Sequence, residues 1–113
     1  MTPKIAFIGA GSTVFMKNII GDCLHFPRLS SAQFALMDID PMRLEDSRLV
    51  ATKMIDAMGA KAQVASYRSQ RAALKGADFV IVAFQIGGYK PCTITDFDLP
   101  KSYGVNQTIA DTL

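Results

Sequence analysis

A short apolar run that ends in two glycines is the feature that most constrains how this chain can fold. Residues 4–11 read KIAFIGAG, so a strand-like run leads directly into Gly9, Ala10 and Gly11. Apolar residues then recur near helical spacing from residue 12 to residue 24. A buried strand, a glycine turn and a helix in this order are typical of the opening unit of a parallel α/β sheet.

Strand and helix patterns alternate along the rest of the chain. We predict further strands over residues 33–38, 63–67 and 78–84, and further helices over residues 41–58 and 70–75. Asp40 and Pro41 are suited to begin the second helix, and Gly59 is suited to end it. The residues after Phe84 predict mainly a long loop, with a helical part around residues 95–103.

This order of elements predicts an α/β fold with a Rossmann-like, doubly wound parallel sheet, because βαβ crossovers are right-handed. The pattern over residues 63–67 is the weakest, and we place that strand near an edge. A complete dinucleotide-binding sheet has six strands, whereas this chain supplies about four. We therefore interpret the sheet as incomplete and the chain as the front portion of a larger domain.

The composition excludes several classes of protein. Half of the 113 residues are hydrophobic and 19% are charged, which allows a packed core and argues against disorder. The net charge of +2 is scattered along the chain, so no nucleic-acid partner is predicted. The longest apolar runs are too short to cross a bilayer, and no signal-peptide pattern is present. Two cysteines form no disulfide framework, and we predict a soluble cytoplasmic protein without a membrane partner.

The glycine turn fits the binding of a dinucleotide. Gly9 would let the chain reverse, and Gly11 would let the backbone approach a pyrophosphate. Ser12 and Thr13 add hydroxyls and early helix amides that suit phosphate oxygens. Val14 stands where the usual third glycine would be, which requires the helix to lie slightly farther from the strand. Taken alone, the turn is equally consistent with a purely structural connection.

An acidic residue at the end of the second predicted strand strengthens the cofactor interpretation. Asp38 would lie at the carboxyl edge of the sheet, where it can accept hydrogen bonds from the adenosine ribose. Its separation from the glycines exceeds the usual ~20 residues, because residues 25–33 form an additional segment. A carboxylate repels a 2′-phosphate, so Asp38 favours NAD over NADP. Arg43 lies close enough to complicate this preference, although a solvated helix position is the simpler interpretation.

A pair of glycines lies at the end of the fourth predicted strand. Gly87 and Gly88 follow Gln85 and Ile86, and adjacent glycines suit close approach of the backbone to a ligand there. An ordinary flexible loop is an equally good interpretation. The predicted cofactor contacts are together Gly9, Ala10, Gly11, Ser12, Thr13, Asp38, Arg43, Gln85, Ile86, Gly87 and Gly88. The sequence offers no nucleophile–base pair, acid–base pair or metal cluster, so it predicts a cofactor site without catalytic or metal-ligating residues.

Four segments, read in order, resemble one enzyme family. They are FIGAGSTVFMKNIIGD, ALMDIDPMRLE, ADFVIVAFQIGGY and TDFDLPKSYGVNQTIADT. The chain resembles the N-terminal portion of the family 4 glycoside hydrolases, and within that family its bacterial α-galactosidase branch. The resemblance covers essentially all 113 residues. It implies that residues 1–113 are the N-terminal part of an NAD-binding Rossmann-like domain, with the catalytic and substrate domain absent from this chain.

The resemblance also implies a reaction for the full-length protein. It would hydrolyse α-galactosides of the melibiose or raffinose type, with NAD and a divalent metal, commonly manganese. In the family, hydride leaves C3 of the sugar to NAD, the C2 proton is removed, the glycosidic oxygen is eliminated, water adds and hydride returns. By resemblance, the turn would hold the pyrophosphate and residues 85–88 would line the nicotinamide side. The metal ligands and the catalytic acid and base lie beyond Leu113, so we expect this chain alone to be inactive.

Substrate, assembly and alternative functions are further expectations. The phospho-sugar branches of the family place arginine in the loop after the fourth strand, whereas this loop offers only Lys90 and Lys101. That difference favours an unphosphorylated galactoside. A four-stranded piece should expose a sheet edge and an apolar face, so we expect homo-oligomers or dependence on a partner. The alternatives are an NAD-dependent dehydrogenase of the lactate/malate type and a non-catalytic nucleotide-binding module.

Overall fold

The structure, a computed structural model, describes residues 2–84 and 88–106 and contains one parallel sheet. Its strands are β1 (Lys4–Ile8), β2 (Gln33–Met37), β3 (Gln63–Tyr67) and β4 (Phe79–Val82). All neighbouring strands are parallel, and their order across the sheet is β3-β2-β1-β4. This arrangement confirms the predicted Rossmann-like sheet and the position of β3 at an edge.

Helices connect the strands and follow the last one. They are α1 (Thr13–Leu24), α2 (Pro41–Ala57), α3 (Gln70–Leu74) and α4 (Ile94–Lys101). Asp40 caps α2 as predicted, because its carboxylate accepts hydrogen bonds from the backbone N–H groups of Met42 and Arg43, at 3.0 and 3.2 Å. Within the part of the chain that the structure describes, no helix is long and apolar enough to cross a membrane.

Several predicted boundaries differ from the structure. The second strand ends at Met37 rather than Asp38, because the Asp38 carboxylate accepts the N–H of Asp40 at 2.9 Å and begins the turn into α2. The fourth strand is shorter than the predicted 78–84, because its partner β1 ends at Ile8 and the glycine turn follows.

Much of the predicted loop after β4 is helical. A kinked helical turn covers Gly88–Thr93, in which Lys90 has extended backbone angles (φ −111°, ψ 128°). The helix predicted around 95–103 is α4, which spans Ile94–Lys101 and has no buried residues. Residues 85–87, which include the predicted contacts Gln85, Ile86 and Gly87, lie outside the described residues.

The two faces of the sheet are covered unequally. One face packs Ile5, Phe7, Phe34 and Leu36 against the buried side chains of α1 and α2. The other face has a smaller core, which consists of Ala6, Ile8, Ala35, Met37 and Ala73. The larger core holds the first residues of α1 and α2 over the carboxyl ends of β1 and β2, which is where the predicted cofactor residues lie.

Candidate functional site

A cleft of about 920 Å³ lies at the carboxyl edge of the sheet. Its volume is near the upper end of the ~300–1,000 Å³ that is typical of small-molecule sites. The glycine turn, the start of α1, the β2–α2 connection and the end of β4 form its walls. Those walls include Gly9, Gly11, Ser12, Phe15, Asp38, Ile39, Asp40, Arg43, Gln70, Ala83 and Phe84. Predicted contacts from two separate segments are thus brought to one site.

Gly9 closes the turn against the end of β4. Its φ of +95° is in the region that L side chains rarely adopt, and a Cβ there would overlap the carbonyl oxygen of Ala83. The same Cβ would lie 2.9 Å from the Cβ of Phe84. The N–H groups of Gly9 and Ala10 both donate to the carbonyl oxygen of Met37 at 2.9 Å. The turn is therefore fixed between β2 and β4.

Gly11 gives room to the Asp38 carboxylate. The backbone N–H of Gly11 donates to Asp38 Oδ2 at 2.7 Å, and a Cβ on Gly11 would lie only 2.6 Å from that oxygen. The sequence predicts that the small size of Gly11 allows a pyrophosphate to approach, and the structure adds room for the Asp38 carboxylate as a second requirement. An ionised carboxylate has about four lone-pair sites. Asp38 receives N–H groups from Gly11 and Asp40, so it retains acceptor capacity for ligand hydroxyls.

The remaining turn residues divide between the cleft and the protein interior. Ser12 lines the cleft. Ala10 is buried, and the Thr13 hydroxyl lies 2.9 Å from Ser47 Oγ on α2. Val14 is 66% exposed, so its side chain does not lie between α1 and the sheet, where Met16 is buried. The turn thus presents backbone and one serine to the cleft and directs a threonine inward.

Charge at the rim of the cleft comes from α2. Arg43 lies at the rim with a side chain that is 72% exposed, and its Nε is 3.8 Å from Asp40 Oδ2. This is a surface ion pair, which contributes little to stability. Both sequence interpretations of Arg43, a solvated helix residue and a residue near the cofactor site, fit this position.

Several residues of the site were not predicted from the sequence. Phe15, Ile39, Gln70 and Phe84 line the cleft, and Ile39 is 92% exposed between two acidic residues. An exposed apolar residue between two aspartates at the end of a strand could have indicated a ligand wall. Ser47 was missed as well. Its position among Leu44, Ala51 and Ile55 on the buried face of α2 could have indicated a polar contact beneath the turn.

Two observations concern the prediction of a site without catalytic or metal-ligating residues. Burial raises the pKa of the Cys23 thiol, and the neighbouring Asp22 charge adds to this, which makes the thiol a poor nucleophile. In residues 2–84 and 88–106, no group of three or more His, Cys, Asp or Glu side chains could hold a metal ion. The arrangement suits the binding of a ligand that carries hydroxyls, anionic groups and apolar rings.

Sequence comparison connects this site to one family. Residues 4–113 match the sequence profile described as Family 4 glycosyl hydrolase. The chain is 51% identical over 110 residues to an α-galactosidase of Bacillus subtilis (strain 168), a match that covers 97% of this chain and 26% of that protein. It is 34% identical over 110 residues to an α-galactosidase of Rhizobium meliloti (strain 1021), covering 97% and 22%. The chain thus spans about a quarter of the length of these curated relatives.

Structural comparison supports the fold. The chain is similar to a 6-phospho-α-glucosidase from gut microorganisms that was solved in complex with NAD and glucose-6-phosphate. The TM-score is 0.72 at 24% identity, and the match covers 95% of this chain and 24% of the other. At this identity the likeness concerns the fold alone.

Proposed function

The chain belongs to family 4 of the glycosyl hydrolases, and on that premise we propose that it is the NAD-binding portion of an α-galactosidase. The observation that carries this proposal is the arrangement of the Gly9–Gly11 turn and the Asp38 carboxylate at one end of a large cleft. Two α-galactosidases among the relatives support the activity of the full-length protein.

The residues of the cleft fit a dinucleotide. The N–H groups of residues 9–13 already donate within the protein, so a pyrophosphate would approach the turn closely and meet the N–H groups that follow at the start of α1, with Ser12 beside them. Asp38 would accept hydrogen bonds from the adenosine ribose, and Arg43 would face the adenosine side from the rim. When bound, NAD supplies a hydride acceptor. Residues 85–88 remain the predicted nicotinamide wall.

The activity of the whole protein is a broader proposal. We infer that the full-length protein hydrolyses α-galactosides such as melibiose or raffinose, with NAD and a divalent metal, manganese among the candidates. By resemblance the family's metal ligands lie beyond Leu113, and residues 2–84 and 88–106 contain no group of three or more His, Cys, Asp or Glu side chains that fits a metal ion. We also propose a cytoplasmic location and a homo-oligomeric assembly.

Two alternative functions remain distinguishable by experiment. The family match over residues 4–113 favours a glycosidase over a dehydrogenase of the lactate/malate type. A non-catalytic nucleotide-binding module shares the same cleft and would bind NAD equally well. Turnover of an α-galactoside by the full-length protein, in the presence of NAD and Mn²⁺, separates the glycosidase from both alternatives.

Calorimetric titration with NAD and with NADP tests the cofactor proposal. The wild-type chain is compared with Asp38→Asn, which keeps the size of the side chain but removes its charge. Asp46→Asn is the matched control. It is the same substitution at an exposed residue of α2 that does not line the cleft.

We expect saturable NAD binding that is stronger than NADP binding. Asp38→Asn should weaken NAD binding about tenfold and reduce the preference over NADP, because a charged hydrogen bond contributes about 1.5–3 kcal/mol. Asp46→Asn should bind like the wild type. A folded wild-type chain that takes up neither nucleotide would refute the proposal.

A further inference from the structure

Ser47 is a polar residue buried where α2 packs beneath the glycine turn. Its exposure is 0%, and its neighbours along the same helix face are Leu44, Ala51 and Ile55. A buried hydroxyl destabilises the fold unless it forms hydrogen bonds. The partners of Ser47 therefore explain what a serine contributes at this position.

Ser47 contacts two residues of the turn. Its hydroxyl donates to the carbonyl oxygen of Ala10, with an oxygen–oxygen distance of 2.6 Å. Since a hydroxyl has one proton, Ser47 Oγ accepts in its 2.9 Å contact with Thr13 Oγ1, and the other acceptor within reach of the Thr13 hydroxyl is the Gly11 carbonyl oxygen at 3.3 Å. Both acceptors of the Thr13 hydroxyl thus belong to the protein, and its backbone N–H also donates to the Gly11 carbonyl oxygen, at 2.9 Å.

The contact with Ala10 has a counterpart on the other side of the same peptide group. The carbonyl of Ala10 and the N–H of Gly11 belong to one planar trans peptide and point in opposite directions. Ser47 holds the carbonyl at 2.6 Å, and Asp38 Oδ2 accepts the N–H at 2.7 Å. Side chains from the end of β2 and from α2 thus fix the orientation of the central peptide plane of the turn.

We propose that Ser47 is a positioning residue for the cofactor turn, which it holds ready for a dinucleotide pyrophosphate together with Asp38. This inference rests on the proposed function. A peptide beside glycine rotates easily, because glycine restricts its backbone little. Holding the carbonyl from below avoids the cost of ordering the turn when the ligand binds, and such preorganisation strengthens binding.

The test compares two hydroxyl deletions on the same helix. Ser47→Ala removes the contact with the turn, whereas Thr52→Val removes a hydroxyl that donates to the Arg48 carbonyl at 2.8 Å and does not reach the turn. For both variants and the wild type, NAD affinity is measured by calorimetry. Amide hydrogen exchange of Gly11 and Thr13 is measured in the free protein.

We expect Ser47→Ala to bind NAD about fivefold more weakly, as the loss of one hydrogen bond implies, and to exchange the Gly11 and Thr13 amides faster. Thr52→Val should match the wild type in both measurements. Equal NAD affinity in Ser47→Ala and wild type overturns the positioning role.

A wild type that binds no NAD refutes the proposed function. Hydrogen exchange then tests separately whether Ser47 fixes the peptide between Ala10 and Gly11. Unchanged exchange at Gly11 and Thr13 in Ser47→Ala overturns the inference, and faster exchange supports the fixed peptide. If Ser47→Ala does not fold, Ser47→Cys replaces it in both measurements, because cysteine has the same shape as serine, is only slightly larger and is a weak donor. The same outcomes then apply, with a smaller loss of affinity.

Discussion

β1 and β4 are adjacent apolar strands, yet their burial differs sharply. Residues 5–8 of β1 are 0–5% exposed, whereas Phe79, Val80 and Val82 of β4 are 50–62% exposed. Hydrophobicity does not separate them, since they read KIAFI and FVIV. Their place in the sheet does, because β1 lies between β2 and β4, and β4 is an edge strand.

β3, the strand at the other edge of the sheet, differs in sequence from β4. β3 reads QVASY and mixes polar with apolar residues, as suits an edge that faces water. β4 has the continuous apolar character of a parallel strand that is buried on both faces. The sequence of β4 therefore indicates a surface that another protein segment or molecule covers, whereas β1 is flanked by a strand on each side within this chain.

The largest expected effect tests the contrast between the two strands directly. Phe7→Ala should lower the free energy of unfolding by about 3–5 kcal/mol, because it leaves a cavity in the main core. Phe79→Ala should lower it by about 1 kcal/mol or less, because that ring is already 59% exposed. Urea denaturation of both variants measures the difference, and equal losses would break the comparison.

Substitutions of Gly9 and Gly76 test the contact between the glycine turn and the residues that follow β4. Gly9→Ala combines backbone strain with an overlap on Ala83, so we expect it to cost at least about 1–3 kcal/mol and to abolish NAD binding. Gly76→Ala, at a φ of +71° with nothing near its Cβ, should show the strain alone and keep NAD binding. Denaturation and calorimetry measure both effects, and a Gly9→Ala variant that binds like the wild type would contradict the described turn.

Exposure of β4 predicts self-association. Light scattering with size-exclusion chromatography should show a mass that rises with concentration for the wild type, because an apolar edge strand pairs readily. Val80→Lys should lower that mass. The control is Leu49→Lys, on the exposed side of α2, which should leave the mass unchanged. A wild type that stays monomeric throughout would contradict this use of β4.

The smallest expected effect concerns a surface pair on α2. Arg48 donates to both carboxylate oxygens of Glu45, at 2.6 and 2.9 Å, and this hydrogen bonding lowers the pKa of Glu45. Because folding lowers the pKa of Glu45, its carboxylate stabilises the fold at pH values above the ordinary pKa of 4.5. This stabilisation is lost as the pH falls through the lowered pKa.

Glu45→Gln should therefore be slightly less stable than the wild type at neutral pH, and the two should converge in acid. Thermal unfolding across that range measures the difference. A stability difference that widens in acid would contradict the lowering of the Glu45 pKa. A large stability difference at neutral pH would show that charge pairs matter as much as burial.

The parallel sheet with β3 near an edge, the capped start of α2 and the meeting of the glycine turn with Asp38 could all be predicted from the sequence. Periodicity and turn residues report on neighbours in sequence, and the parallel fold then places strand ends together. An exposed edge and apolar face were expected of a four-stranded sheet, but that β4 forms them could not be predicted, because an apolar run reads the same whether it is central or at an edge. The contact between Ser47 and Ala10 spans 37 residues, and no local pattern encodes it.

The central claim is that NAD binds in the cleft between the glycine turn and Asp38. Its most direct test is the mapping of backbone amide chemical shifts in a ¹⁵N-labelled chain during titration with NAD. We predict saturable shifts at Gly9–Ser12, Asp38–Asp40 and Ala83–Phe84, with none at Asp46 and Leu49, which are exposed on α2 away from the cleft. Shifts confined to residues outside the cleft, or no shifts in a folded chain, would contradict the account.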